Sequence, residues 1–296
     1  LGTVGCNFKC SFCQNHGISQ EKNIDKSKYH SPIDVVNMAL KYKCESISYT
    51  YNEPTIFYPY AKDIAIEAKK HGIKSVYVSN GFESSEVIDD MKGLIDAVNI
   101  DLKCFSQSYY KSNLGGNLNQ VLQNLKHFKK NDIWLEITTL LVPGKNDSKD
   151  ELEKIAKFIK EELDEFTPWH ISSFHPDYKD MHIPHTSIDS LQMAYKIGKE
   201  AGLKYVYIGN TSLQNDTHCP NCNHTVLKRN RFEVIENNIK NGKCPRCNYK
   251  IQGVYPKMKT IRKTGFAGSF YPDNKEEILK YIEEFNKQTT INGTFN

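Results

Sequence analysis

The sequence predicts an α/β chain: an incomplete parallel barrel of the (β/α)6, TIM-like type, followed by a small four-cysteine ribbon. Three observations carry this. Short β-rich runs alternate with longer amphipathic stretches up to about residue 210, nearly every run ends in a polar or chemically active cluster, and two Cys-Pro-x-Cys pairs follow the last run. Strand and helix alternating about six times means parallel units. A site drawn from all the strand ends is what the C-terminal mouth of a barrel provides, whereas a doubly wound sheet gathers its ligand groups at one switch point. About 210 residues is short for eight units, so the barrel is expected to be incomplete.

Taken in order, the expected strands are Thr3-Val4 (the tail of one), Ser46 to Tyr51, Lys74 to Ser79, Ala97 to Leu102, Trp134 to Val142, Trp169 to Phe174 and Lys204 to Ile208. Ser31-Pro32 reads as an N-cap and N1 proline ahead of Val35, Val36, Met38, Ala39 and Leu40. His71-Gly72 closes the helix after Phe57, and Ala201-Gly202 closes the one holding Leu191, Ala194 and Ile197. The strand ends carry Cys6 to Cys13, Asn52-Glu53-Pro54, Ser79-Asn80-Gly81, Asp101 with Lys103, Pro143-Gly144, and Ser173 with His175.

Composition removes other classes. With 39% hydrophobic residues and 39 Lys plus Arg against 35 Asp plus Glu, a net charge of +4, the 296-residue chain is globular rather than disordered, collagen-like or coiled-coil. No apolar run approaches the ~20 residues that span a bilayer, and Leu1-Gly2-Thr3 has no signal-peptide features, so the chain reads as cytoplasmic with no membrane partner. It begins without Met and in mid-strand, and is expected to be a fragment at both ends.

Nine cysteines, an odd number, argue against a disulfide framework. Cys44 and Cys104 stand alone and read as inert thiols. Cys6-Asn-Phe-Lys-Cys10-Ser-Phe-Cys13 follows the first strand, with Gly5 ahead of it to let the backbone turn. A zinc ion would want a fourth ligand, and a redox CxxC needs only two cysteines. Three thiolates in eight residues can ligate three irons of a cubane cluster and leave the fourth iron open. A zinc knuckle completed by His16 and a ferredoxin-like cluster with a distant fourth cysteine are the alternatives.

This segment resembles the CxxxCxΦC signature of the radical S-adenosylmethionine (radical SAM) superfamily, with Phe12 as the aromatic position. The resemblance runs from Leu1 to about Asn215 and is close to the pyruvate formate-lyase activating enzymes, which act on glycyl-radical enzymes. It implies a 4Fe-4S cluster, S-adenosyl-L-methionine bound to the open iron, reductive cleavage to a 5′-deoxyadenosyl radical that abstracts hydrogen, and an electron donor such as flavodoxin or ferredoxin. The substrate, a protein or a small molecule, and any catalytic side chain stay unassigned. By the same resemblance Asn52 and Glu53 lie where the family binds the methionyl amine. Ser79 and Asn80 form a turn near the cofactor, Lys103 beside Asp101 meets the methionyl carboxylate, Val142-Pro143-Gly144 with Asp147 lies near adenine and ribose, and His175 lies near the ribose.

Cys219-Pro-Asn-Cys222 and Cys244-Pro-Arg-Cys247 have the spacing of a four-cysteine metal ribbon holding zinc, or else rubredoxin-like iron or an auxiliary iron–sulfur cluster. Asn223 and Asn248 suit the left-handed turn past each knuckle. Lys228, Arg229 and Arg231 form a basic cluster, but with only Phe232 to stack on bases the sequence disfavours nucleic acid. From Lys259 the stretch Arg262 to Pro272 resembles the start of the Memo family. The order of the parts, with the run Tyr49 to Thr55, resembles the AmmeMemoRadiSam system, implying a Memo-like domain or protein as partner. The expected divisions are residues 1–215 for the partial barrel, 216–258 for the ribbon and 259–296 for a truncated Memo-like start. The rival functions are activation of a glycyl-radical protein and, in another class, a zinc-ribbon RNA-binding module.

Overall fold

The computed structural model describes residues 1–23, 29–213, 215–230 and 233–255. After a short helix, α1 (His16–Ser19), the chain alternates α2 (Pro32–Lys41), β1 (Ser46–Tyr49), α3 (Tyr58–Lys70), β2 (Lys74–Ser79), α4 (Ser85–Met91) and β3 (Ala97–Asp101). It continues with α5 (Gln107–Tyr109), α6 (Leu118–Lys130), β4 (Trp134–Leu141), α7 (Lys149–Phe158), β5 (Trp169–Ser173), α8 (Ile188–Glu200) and β6 (Val206–Gly209). The six strands form one parallel sheet in the order β1-β2-β3-β4-β5-β6, as expected for a partial barrel. No described helix is long and apolar enough to cross a membrane.

Local chemistry sets the element ends. Ser31 caps α2 through a capping box: its Oγ accepts from the Asp34 N–H while the Asp34 carboxylate accepts from the Ser31 N–H. Gly72 and Gly202, both at positive φ, turn the chain out of α3 and α8. β1 stops at Tyr49, short of the expected Tyr51, because Tyr51 and Asn52 take left-handed φ values of 52° and 72°, which no strand accommodates. No strand forms at Thr3-Val4. The pairing there is made by Leu1, whose N–H donates to Ser48 O and whose carbonyl accepts from Thr50 N–H, both at 2.8 Å.

Every strand alternates faces. In β4, Leu135, Ile137, Thr139 and Leu141 are buried, while Trp134, Glu136, Thr138 and Leu140 are half-buried on the other face. The buried face packs on helices: Trp169 of β5 is fully buried, donates Nε1–H to Thr139 Oγ1 at 3.0 Å, and meets Gly198 of α8 where a Cβ would come within 3.0 Å of its ring. At the N-terminal ends of β2 to β6 the other face opens onto a cavity of about 550 Å³ lined by Val76, Trp134, Glu136, His170 and Tyr207.

A second, antiparallel sheet of β7 (Thr217–His218), β8 (Thr225–Asn230) and β9 (Glu233–Asn237) covers that cavity through Thr217, Leu227 and Arg229. Its own small core is Cys219, Val226, Cys244 and Ile251. Arg229 of β8 reaches the barrel at the Tyr207 ring of β6. The guanidinium donates to Asn215 O at 3.0 Å and Thr217 Oγ1 at 2.7 Å and lies 5.5 Å from the centre of the Tyr207 ring, which stacks on His170. Arg231, Phe232 and the Memo-like stretch expected from Lys259 lie outside the described residues.

Candidate active site and metal centres

The three-cysteine loop sits against the C-terminal ends of the strands. Gly5, at φ +91°, lets the chain pass Ile56, and its N–H bonds to Ile18 O at 2.8 Å. Phe8 anchors the loop: it is buried, packs on Tyr110 and Phe82, and lies so close to Gly116 that a Cβ there would be 2.4 Å from its ring. Beside it Lys9 N–H bonds to Leu114 O at 2.9 Å, at the end of the π turn Tyr110–Leu114.

The donor set fits a cluster better than one ion. Sulfurs around a single zinc lie ~3.8 Å apart at Zn–S distances of about 2.3 Å. Among the described residues only Cys219, Cys222, Cys244 and Cys247 bring three or more metal-ligating atoms all within 4.8 Å of one another. Cys6, Cys10 and Cys13 do not form such a group, and thiolates that hold a cluster are kept apart by its own irons and sulfides. The loop also supplies what cluster sulfurs take: Phe8 N–H points at Cys6 Sγ at 3.3 Å, and Ser19 Oγ lies 3.3 Å from Cys13 Sγ. Burial pushes the Cys10 thiol up to about 11, and the Lys103 charge pulls against it. His16 does not complete a zinc knuckle; its ring stacks on Tyr178 and its Nδ1 lies 3.3 Å from Asp177. Cys104 is fully buried, in keeping with an inert thiol, and Cys44 is half-buried.

Glu53 is fully buried, yet its carboxylate is well supplied with donors. Oε1 accepts from Thr55 N–H at 3.0 Å, Thr55 Oγ1–H at 2.8 Å and Ser79 Oγ–H at 2.8 Å, and Oε2 accepts from Asn80 N–H at 2.8 Å. The structure thus brings Glu53, Ser79 and Asn80 together. Asn52 turns elsewhere: its amide donates to Thr3 O, and its Oδ1 is buried without a partner. Lys103 pairs with Asp101 at 2.7 Å. Burial alone would lower its pKa, but the adjacent carboxylate outweighs that and holds it protonated. Its backbone is fixed as well, with its N–H on Tyr110 Oη at 3.1 Å and its carbonyl on Asn146 Nδ2 at 2.6 Å. The turn after β4 has Gly144 at φ +70° with its N–H on Asp147 Oδ1 at 2.8 Å. His175 is exposed, and its one hydrogen-bond contact is with Pro176 O, so it stands apart from the other predicted residues.

Sequence reasoning missed the residues that tie these strand ends together. Asn7, between the first two cysteines, donates to Phe82 O at 3.1 Å and accepts from Asn80 Nδ2 at 2.7 Å. Ser11 donates to Asp180 at 2.6 Å, and Asn146 joins the β3 and β4 ends. Glu83, buried beside Glu53, was missed too. Its one signal is a carboxylate two residues past the Asn80-Gly81 pair.

In the ribbon, Cys219 Sγ lies 3.5 Å from Cys247 Sγ, and Cys222 Sγ 3.7 Å from Cys244 Sγ, close to the tetrahedral spacing for one ion. The two knuckles repeat one backbone pattern. Asn223 N–H bonds to Cys219 O and Asn248 N–H to Cys244 O, each at 2.9 Å, with both asparagines at left-handed φ, 56° and 63°.

Comparison with known proteins places this geometry. The chain is 40% identical over 257 residues to the uncharacterized protein MJ0808 of Methanocaldococcus jannaschii, covering 85% of this chain and 76% of the relative. It is 22% identical over 178 residues to pyruvate formate-lyase 1-activating enzyme of Escherichia coli K12, covering 56% of this chain and 71% of that one. In fold it resembles a radical SAM methyltransferase from Sphaerobacter thermophilus, with a TM-score of 0.57 at 15% identity, over 71% of this chain and 66% of the other. The profile of the Radical SAM superfamily matches residues 1–159, more than half of the 296. That span takes in the cysteine loop and the strand ends and loops that carry Glu53, Ser79 and Lys103, so the chain belongs to the Radical SAM superfamily, enzymes that cleave S-adenosylmethionine at an iron–sulfur cluster.

Proposed function

We propose that Cys6, Cys10 and Cys13 ligate one 4Fe-4S cluster with an open iron, and that the strand ends beside them bind S-adenosylmethionine. When bound, the pair supplies reductive cleavage of the sulfonium bond and a 5′-deoxyadenosyl radical for hydrogen abstraction. This chain's residues position and shield it. Glu53, with Ser79 and Asn80, takes the amine side; protonated Lys103, held by Asp101, takes the carboxylate; and the family resemblance alone puts Asn52 on the amine side and His175 at the ribose. The observation that carries the reading is Lys103, largely shielded from water yet held protonated by Asp101 at 2.7 Å, and near enough to the cysteine loop for its charge to act on the Cys10 thiol. A cation kept charged out of water is built for an anion.

In the same proposal residues 1–215 form the catalytic unit, and 216–258 form a structural ribbon whose four cysteines hold zinc in preference to iron. Residues 259–296 begin a Memo-like domain in an enzyme of the AmmeMemoRadiSam type that works in the cytoplasm with a flavodoxin- or ferredoxin-like donor. The run Tyr49 to Thr55 and the order of the parts support that finer placement. The similarity to a pyruvate formate-lyase activating enzyme favours a second reading, in which the hydrogen comes from a glycine of a partner protein. Anaerobic reconstitution with an assay for 5′-deoxyadenosine tests the chemistry. Transfer of deuterium into that product from labelled small molecules or from a glycine-labelled protein separates the readings, and no cofactor cleavage from a fully loaded cluster would overturn both.

A further inference from the structure

Ser79 Oγ, at the end of β2, lies 2.8 Å from Glu53 Oε1 and 2.9 Å from Glu83 Oε1, and accepts the Gly81 N–H at 3.0 Å. A hydroxyl has one proton and two lone pairs. With both carboxyls ionised, one of the two contacts would set a lone pair against a lone pair in a buried site. The other contacts decide which group carries the extra proton. Glu53 receives donors on both oxygens, whereas Glu83 Oε2 is buried without any partner. Charge belongs where donors solvate it, and the neutral form where they do not.

We propose that Glu83 is the protonated member of a Glu83–Ser79–Glu53 chain: its carboxyl O–H donates to Ser79 Oγ, and Ser79 donates in turn to Glu53. Every valence of Ser79 is then satisfied, and one ionised carboxylate with a fixed orientation is presented on the amine side of the cofactor. Glu83 is a positioning residue, and its role rests on the reading of Glu53 given above. The titratable groups that face it are Glu53, on the loop after β1, and Tyr77 of β2, whose hydroxyl is buried without a partner. α6 contributes the amides of Asn124 and Gln120, both on the Glu83 carbonyl. Burial first, then the Glu53 charge, push the Glu83 carboxyl up to about 8.

A carboxyl whose folded pKa is raised contributes stability that is present below its ordinary value of 4.5 and is lost as pH rises toward 8. In the protein without cofactor, the unfolding constant of wild type relative to Glu83→Gln should therefore rise about tenfold per pH unit across that window. The infrared carbonyl band of a protonated carboxylic acid should be present at pH 7 in wild type and absent in Glu83→Gln. A flat difference with pH, or a band that survives in Glu83→Gln, would overturn the proposal. After reconstitution, Glu83→Leu should weaken cofactor binding by about tenfold or more, the scale of one lost hydrogen bond to a charged group, and Glu83→Gln should recover most of that loss. Equal losses in the two variants would also overturn it. If the Glu53 reading fails instead, Glu53→Gln binds the cofactor as wild type does, while the band and the pH dependence of Glu83 persist.

Discussion

Cys13 and Lys103 are the residues on which the chemistry can be tested most directly. If Cys6, Cys10 and Cys13 hold the cluster as proposed, Cys13→Ala leaves it two thiolates of three, so the variant should lose both cluster absorbance and 5′-deoxyadenosine release on anaerobic reconstitution. Cofactor cleavage by that variant would remove Cys13 from the site. Lys103→Met should keep the cluster but weaken cofactor binding by about 1.5 to 3 kcal/mol, the range for a charge-assisted hydrogen bond, as read by titration. The two groups differ in how well the sequence announces them. The cysteines are legible because their spacing is itself the chemistry. Asn7, Asn146 and Glu83 are not, because an amide or a carboxyl becomes a connector only when the fold brings Phe82, Lys103 or Ser79 to it across the strand ends.

At the scale of elements, β2 falls where its alternating pattern puts it, and β3, β4 and β5 end one residue short of their expected limits. These strands are central, with a neighbour on each side and helices over one face, so a β-rich run has one way to pack. The edges are less legible. β6 starts two residues later than expected, and the first segment pairs with β1 through Leu1 alone, which leaves no periodic trace. The join to the second sheet was invisible as well, because His170, Tyr207 and Arg229 lie far apart in sequence. Arg229→Ala removes two hydrogen bonds and a contact with an aromatic face, and should cost ~1–3 kcal/mol in denaturant unfolding, with faster amide exchange in β8. Nearby, burial would raise the Glu136 carboxyl, but the His170 hydrogen bond and the Arg229 charge outweigh it and hold it below the usual range. Its stabilisation is present above the ordinary carboxylate pKa and is lost as pH falls through the folded value. Glu136→Gln should therefore flatten the acid side of a stability-versus-pH curve.

For the whole molecule, the two proposed metal centres, at opposite ends of one sheet, are expected to fail separately. The barrel has a continuous core, whereas the ribbon core is four buried residues, two of them its own cysteines, and is expected to depend on the proposed ion. Chelation, or Cys222→Ser, should lower the melting temperature while cluster content stays constant by iron analysis. An unchanged melt in a protein without stoichiometric zinc or iron would refute a structural metal there. The contact between Phe8 and Gly116 has a consequence of another kind. A ring wedged against a main chain with no room for a methyl group makes position 116 intolerant of variation for purely steric reasons. In an exhaustive substitution library selected for activity, that glycine should be as invariant as the signature cysteines, a false positive for anyone who reads intolerance as chemistry.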